Sequence, residues 1–306
     1  MKGTDIFKDK KFIRCLKKET YNDIKINYIK IFDKNNKIVE ENINKVTYID
    51  CHSYWITNIN GISIFKNLKI LNLSNNQIKK LPKEIKKLEN LEEIDLYNNR
   101  LQYLPKEIWK LKKLKILNLK NNQLQSLLDK IDELTNLEKL DLSYNRIKEI
   151  PKEIWKLKKL KILDVSYNRI EKLPKEINEL INLEKLNLSN NKIKEIPEKL
   201  GKLINLEGLN LGYNQLQELP KEILKLNKLQ RIWLHNAFDL NNLNQKPEEL
   251  LDIFKKLKDK NILGDNDLEY LEEEIYPVLA EKIKEKYWIT NLKQIKDNLN
   301  FDNFSF

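Results

Sequence analysis

Apolar positions along the chain recur every 23 residues. Leu68, Leu91, Leu114, Leu137, Leu160, Leu183, Leu206 and Leu229 each open a segment close to LxxLxLxxNxL, from LKILNLSNNQI to the looser LQRIWLHNAFD. In LxL the two apolar residues are two apart, so both face one side of a short strand. The residue between them faces the other side. Such a strand is too short to stand alone, but identical strands stacked in parallel satisfy one another's backbone groups. The rest of each unit reads xx[LI]PxE[IL]xxLxx and predicts a helical turn. Pro is tolerated at the first helical position, and Glu two residues later suits the positive helix end. Ile108, Leu111 and Leu114 then face inward at three-residue spacing.

Two longer matches show how the array grew. PKEIWKLKKLKIL occurs at 105–117 and again at 151–163. NLEKLDLSYNRIKEIP at 136–151 nearly repeats at 182–197. Both point to duplication of a two-unit block, not to a catalytic motif. A degenerate unit opens at Val46, where Cys51 takes an inward leucine position and so reads as core, and Tyr54 replaces the Asn. Nine units then run over 46–237, giving a sheet on the order of 40 Å long. The Asn column is Asn76, Asn99, Asn122, Asn145, Asn168, Asn191 and Asn214. A short amide at a bend can bond backbone that has left the ladder.

This pattern resembles the leucine-rich-repeat family, in its 23-residue class with LPxxI in the second half, as in Ras-suppressor-type and many bacterial or viral repeat proteins. The resemblance covers residues 68–236. It implies an α/β fold: a curved leucine-rich-repeat solenoid with a parallel concave sheet and short convex helices or turns. Departures are the loss of Gly after LPxxI everywhere but Gly201, and the loss of Pro at Leu128.

A solenoid exposes apolar ends that need caps. Residues 1–45 are expected to form an α+β N-terminal cap: an amphipathic helix in DIFKDKKFIRCLKKE, then a hairpin of IKINYIKIF and KIVEE. Residues 238–306 are expected to form a helical C-terminal cap, with helices in KPEELLDIFKKLKDK and DLEYLEEEIYPVLAEKIKEKYW and a bend at Pro277. A partner-binding role for this second segment stays open. The tail NLNFDNFSF is expected to fray.

Charge changes the picture little. The 306 residues carry a net charge of +11, but of 57 basic residues only five are Arg. Bidentate phosphate or guanine reading favours Arg, so the surplus reads first as a solvated Lys surface. No 18-residue apolar window predicts a membrane span, and no apolar run near the start predicts a signal peptide. Cys15 and Cys51 are too few for a disulfide framework, which favours a reducing, cytoplasmic place, in its own or a host cell.

No catalytic, cofactor or metal constellation stands out, so neither an enzyme nor a cofactor is expected. His52 and His235 lie in the first and last units, each read as a surface side chain. What remains is surface. The concave centre holds Asp95, Asp141 and Asp164 between amides, with Trp233 at its end. Tyr97, Tyr144, Tyr167 and Tyr213 follow, and Arg100, Arg146 and Arg169 form a border. Tyr, Trp and Arg are enriched at protein interfaces, so a protein partner on this face is the expectation. The alternative is a nucleic acid or anionic surface on a convex patch of Trp109, Lys110, Lys112, Lys113, Trp155, Lys156, Lys158 and Lys159.

Overall fold

The computed structural model describes residues 6–21, 28–127 and 130–286. One sheet carries ten strands in chain order: β1 (Thr20–Tyr21), β2 (Tyr48–Asp50), β3 (Ile70–Asn72), β4 (Glu93–Asp95), β5 (Ile116–Asn118), β6 (Lys139–Asp141), β7 (Ile162–Asp164), β8 (Lys185–Asn187), β9 (Gly208–Asn210) and β10 (Arg231–Trp233). β1 is antiparallel to β2. From β2 to β10 the strands are parallel and in unbroken register, one per unit, in a curved solenoid. The middle residue of each strand enters the core; its two neighbours line the concave face. Behind the sheet, 3₁₀ turns such as Lys106–Lys110 and Lys152–Lys156 close each unit. Pro105 is the extended residue before its turn, not the first helical one, and its carbonyl accepts from Ile108 N at 3.0 Å.

Side chains hold the stack beyond the strand ladder. Asn145 shows the pattern: its Oδ1 accepts from Leu124 N, and its Nδ2 donates to Leu119 O and Leu142 O, all at 3.0 Å. The other ladder asparagines repeat this, as the sequence predicts. A second amide column escaped the sequence reading. Asn136 Nδ2 donates to Lys112 O at 2.7 Å, as Asn67, Asn90, Asn182 and Asn205 do to the units before them. Where a unit has Lys instead, its ammonium donates to the preceding Asn: Lys113 to Asn90 at 2.7 Å, Lys159 to Asn136 at 2.6 Å. Beside it runs a column of alternating sign: Lys69, Glu92, Lys115, Glu138, Lys161, Glu184. Lys115 meets Glu92 at 2.7 Å and Lys161 meets Glu138 at 3.0 Å.

The N-terminal helix α1 (Lys10–Leu16) is shorter than predicted. Buried Asp9 caps it: Oδ1 accepts from Lys11 N at 2.8 Å and Phe12 N at 3.1 Å. Its Oδ2 accepts from Thr57 N and Thr57 Oγ1, both at 2.7 Å, fastening the helix to the first unit. Cys15 and Cys51 are both buried and form a disulfide, with Cα atoms 5.5 Å apart. This corrects the premise of unpaired thiols and removes the argument drawn from it for a reducing compartment. The expected hairpin is only a bridge between Phe32 and Ile38, and the end of its expected second strand KIVEE, Glu40 and Glu41, opens a short helix instead, α2 (Glu40–Ile43). The strand that joins the sheet is β1. Residues 24–27 of the expected hairpin lie outside the described residues, as do Leu128 and the tail 298–306.

At the other end, α3 (Pro247–Asp259) begins on its Pro. α4 (Asp265–Tyr270) widens into a π turn, Leu271–Ile275, before helical residues 276–286. Pro277 lacks the N–H that the preceding turn needs, so the ladder changes its pitch there. Among the described residues β10 has no following strand. Ile232 N donates instead to Ile262 O at 2.9 Å, and buried Asp267 Oδ1 accepts from Leu234 N at 2.8 Å and His235 N at 3.0 Å. Asp267 Oδ2 takes Gly264 N at 3.2 Å.

Candidate interaction surface

The concave face is built from the two outward residues of each strand and the turn that follows. The central column, Asp50 to Trp233, is shared between surface and scaffold. Asp141 Oδ1 accepts from Ser143 N at 2.9 Å and Ser143 Oγ at 2.6 Å, and Asp164 does the same with Ser166. Asp95 accepts from Tyr97 N at 2.8 Å. Strands β2 to β9 thus each end in a turn closed by their own Asp or Asn. The acidic centre presents carboxylates already partly engaged. Burial pushes the Asp95 and Asp141 carboxyls above the ordinary Asp value; neighbouring carboxylates, Asp141 and Asp50 for the first and Asp164 for the second, add to the rise.

The next rows differ from the expectation. Strand register puts Tyr97 in line with Lys120, Ser143 and Ser166. Tyr144, Tyr167 and Tyr213 stand one position later, in line with Asn75, Asn98, Asn121 and Asn190. Every one of these residues has a left-handed backbone, with φ of 55°, 52° and 54° at the three tyrosines. Asn adopts this conformation readily; Tyr does so at a cost of about 1 kcal/mol. The three rings are nevertheless 43%, 45% and 50% exposed. Tyr144 and Tyr167 stack with centroids 4.1 Å apart, and the Lys120 ammonium lies 5.3 Å from the Tyr144 ring. They line an open depression of about 610 Å³ with Tyr213 and exposed Arg146. Arg100 and Arg169 are also exposed along that border, headed by Trp55, which is 62% exposed and also left-handed. Sequence reasoning missed Trp55 because its unit is degenerate.

It also missed the other outward strand column, Tyr48, Ile70, Glu93, Ile116, Lys139, Ile162, Lys185, Gly208 and Arg231. Period-two alternation, counted back two residues from the central column, identifies it. His52 is a surface side chain with Nδ1 2.8 Å from Asp50 Oδ1. His235 is not: it is half-buried between the Tyr213 and Tyr270 rings, with centroids 5.4 and 5.3 Å away.

The convex patch loses its aromatic component. Trp109 and Trp155 are 1% and 0% exposed, because both belong to the hydrophobic core, and neither indole N–H has a partner among the described residues. The lysines there are largely engaged. Lys110 and Lys112 both reach Glu133 at 2.9 Å, and these bonds, Lys112 first, hold its carboxyl down at about 2. Lys156 meets Asp132 at 3.5 Å and Lys158 meets Glu179 at 3.2 Å. Among the described residues no group of three or more His, Cys, Asp or Glu side chains is placed to hold a metal, and no helix is long and apolar enough to cross a membrane.

Three family models match in succession: a leucine-rich repeat region over 44–145, a leucine rich repeat over 135–193 and leucine rich repeats in two copies over 181–224. No curated protein matches. Among solved structures, a leucine-rich-repeat protein of Leptospira interrogans is 39% identical over 57% of this chain, with a TM-score of 0.50. The match takes in 51% of that protein's length, so this chain spans about half of it. Internalin C2 of Listeria monocytogenes is similar in fold, with a TM-score of 0.63 and 24% identity over 76% of this chain and 95% of its own. The ectodomain of the Arabidopsis thaliana receptor kinase GASSHO1/SCHENGEN3, in complex with CASPARIAN STRIP INTEGRITY FACTOR 2, is 32% identical over 59% of this chain and 23% of its own, with a TM-score of 0.56.

Proposed function

The chain belongs to the leucine-rich-repeat family, and we propose that it is a non-catalytic scaffold that binds a protein partner on its concave face. One observation carries this reading: three tyrosines occupy left-handed positions that Asn fills in most other units, with their rings turned to solvent. Strain kept at an exposed site points to use of that site. Tyr144, Tyr167, Tyr213 and Trp233 are the anchors; Asp95, Asp141, Asp164, Arg100, Arg146 and Arg169 set charge around them. The Arabidopsis ectodomain was solved in complex with a factor, which supports a binding role for a repeat array of this kind. We read 1–45 and 238–306 as caps of a repeat array over 46–237.

The test is capture of partners from source-cell lysate, with and without nuclease, on the full chain. The comparison is a variant carrying Tyr144→Ala, Tyr167→Ala, Tyr213→Ala and Trp233→Ala. A protein held by the natural chain and lost from the variant supports the reading; a variant that keeps every partner sinks it. If nuclease alone strips all partners, the lysine-rich convex side takes its place. On location, the low cysteine count favoured the cytoplasm, whereas the paired Cys15 and Cys51 weigh against it. Alkylation and mass measurement of the chain taken from its cell decides between them.

A further inference from the structure

Gly208 opens β9 on the concave face, in a column whose other members all carry side chains. A strand glycine gives up packing and often marks close approach by a ligand or another backbone. Conformation does not ask for it here. The register runs unbroken through Lys185, Gly208 and Arg231, and the backbone is not left-handed. A Cβ at this position meets Trp233 Cζ3 at 3.7 Å and Lys185 Cγ at 3.8 Å, both ordinary contacts, so packing does not exclude a methyl side chain.

Its missing side chain lets the Trp233 indole lean over the sheet and leaves a gap of about 440 Å³, with Ile162 and the Lys185 stem on the far side. A gap of this size is within the range that takes a ring. Trp233 stays 39% exposed although an apolar wall is beside it. Charge distinguishes this corner from the convex side. Lys185 has no ion pair among the described residues, whereas the convex lysines mostly do. Arg231 lies 5.7 Å from the Trp233 ring, also without one. Two carboxylates adjoin the gap. Asp164 is engaged by Ser166 and by Asn187 Nδ2 at 3.0 Å, and Glu207 stands on the outer rim.

We propose that the gap over Gly208 is an anchor subsite for an aromatic side chain of the partner protein, with an acidic residue beside it held by Lys185 and Arg231. The inference rests on the concave face being the binding face. A ring entering here stacks against Trp233 and buries the exposed indole under the partner, and buried aromatic anchors are where interface energy concentrates.

The test is selection of a displayed library of random twelve-residue peptides on the full chain. Enriched peptides are then measured against Gly208→Leu, Lys185→Glu and the Tyr144→Ala, Tyr167→Ala pair. Gly208→Leu fills the gap, and circular dichroism confirms that each variant folds. The expected result is enrichment of Phe, Tyr or Trp next to Asp or Glu, with binding at least tenfold weaker in Gly208→Leu and in Lys185→Glu. Peptides without that pair, or equal binding to Gly208→Leu, overturn the subsite. If the tyrosine pair weakens binding while Gly208→Leu does not, the concave-face reading survives and the subsite falls. Binding indifferent to all these variants overturns both.

Discussion

The two ends of the solenoid meet one physical problem with different chemistry. Each terminal unit exposes backbone groups that an adjacent unit satisfies elsewhere. At both ends a buried aspartate supplies acceptors: Asp9 to Phe12, Thr57 and Asn58 at one, Asp267 to Leu234, His235 and Gly264 at the other. The N-terminal end adds a true strand, β1, and a covalent bond from α1 to the first unit. The C-terminal end has no covalent bond; one carbonyl, that of Ile262, and one carboxylate substitute for a strand. The first end is redundant and the second concentrated, so single changes should act unequally.

The largest effect is expected at the concentrated end. Asp267→Ala leaves two buried N–H groups and one half-buried one, those of Leu234, Gly264 and His235, without their acceptor and should cost about 3 kcal/mol. Thermal unfolding reads the loss, and hydrogen exchange should open residues 231–237 first. Asp267→Asn, which keeps an acceptor, should cost less; equal losses would refute the hydrogen-bond account. Reduction of Cys15–Cys51, which closes a separation of 36 residues, should cost about 2–4 kcal/mol. Exchange should then rise over 6–21 and leave 231–286 unchanged. An equal rise at both ends would contradict the separateness of the two closures.

A smaller effect tests the ring chain from Tyr213 through His235 to Tyr270, which joins the binding face to the C-terminal end. Tyr213→Asn relieves the left-handed strain and loses one ring contact. Stability should stay level or rise by up to about 1 kcal/mol, while partner capture falls. A clear loss of stability would make Tyr213 a packing residue. The smallest effect is in pH. Burial raises the Asp9 carboxyl, but hydrogen bonds led by Thr57 win and hold it below the ordinary value of 3.8. Its contribution is present above that value and is lost as pH falls through the lowered one. Asp95 and Asp141 are raised, so the folded state bears a cost for ionising them above their values. That cost disappears as pH falls through them. Acid should therefore loosen the N-terminal end while relieving the sheet centre, which carboxyl titration by NMR with site-resolved exchange can follow.

The sequence made the repeat legible because each leucine and ladder Asn does the same task at a fixed spacing. Nine parallel strands and the convex turns follow from that. The Cys15–Cys51 pair was not legible, because nothing local tells how α1 folds back over the first unit. Trp109 and Trp155 stand among lysines in sequence, yet the lysines point out and the indoles in, which only packing decides. The left-handed tyrosine row was hidden for a different reason. Tyr97 and Tyr144 fall one letter apart in the repeat, and the conformation belongs to the second letter alone. At the ends, where no period repeats, α1 and the hairpin were the least accurate expectations.

The alternating column from Lys69 to Glu184 has a consequence for how this protein changes length. Removing one 23-residue unit, for example the one that begins near Glu138, sets Lys115 against Lys161 and leaves two cations facing. Removing two restores Glu92 against Lys161. Insertions obey the same parity. Between Lys69 and Glu184 an edit of 46 residues therefore keeps opposite charges facing, whereas one of 23 sets like charges together at a cost of about 1 kcal/mol or less; 46 is also the distance that separates the two copies of PKEIWKLKKLKIL. From Lys69 to Glu184 the charge pattern thus repeats with the same 46-residue step as the duplicated block.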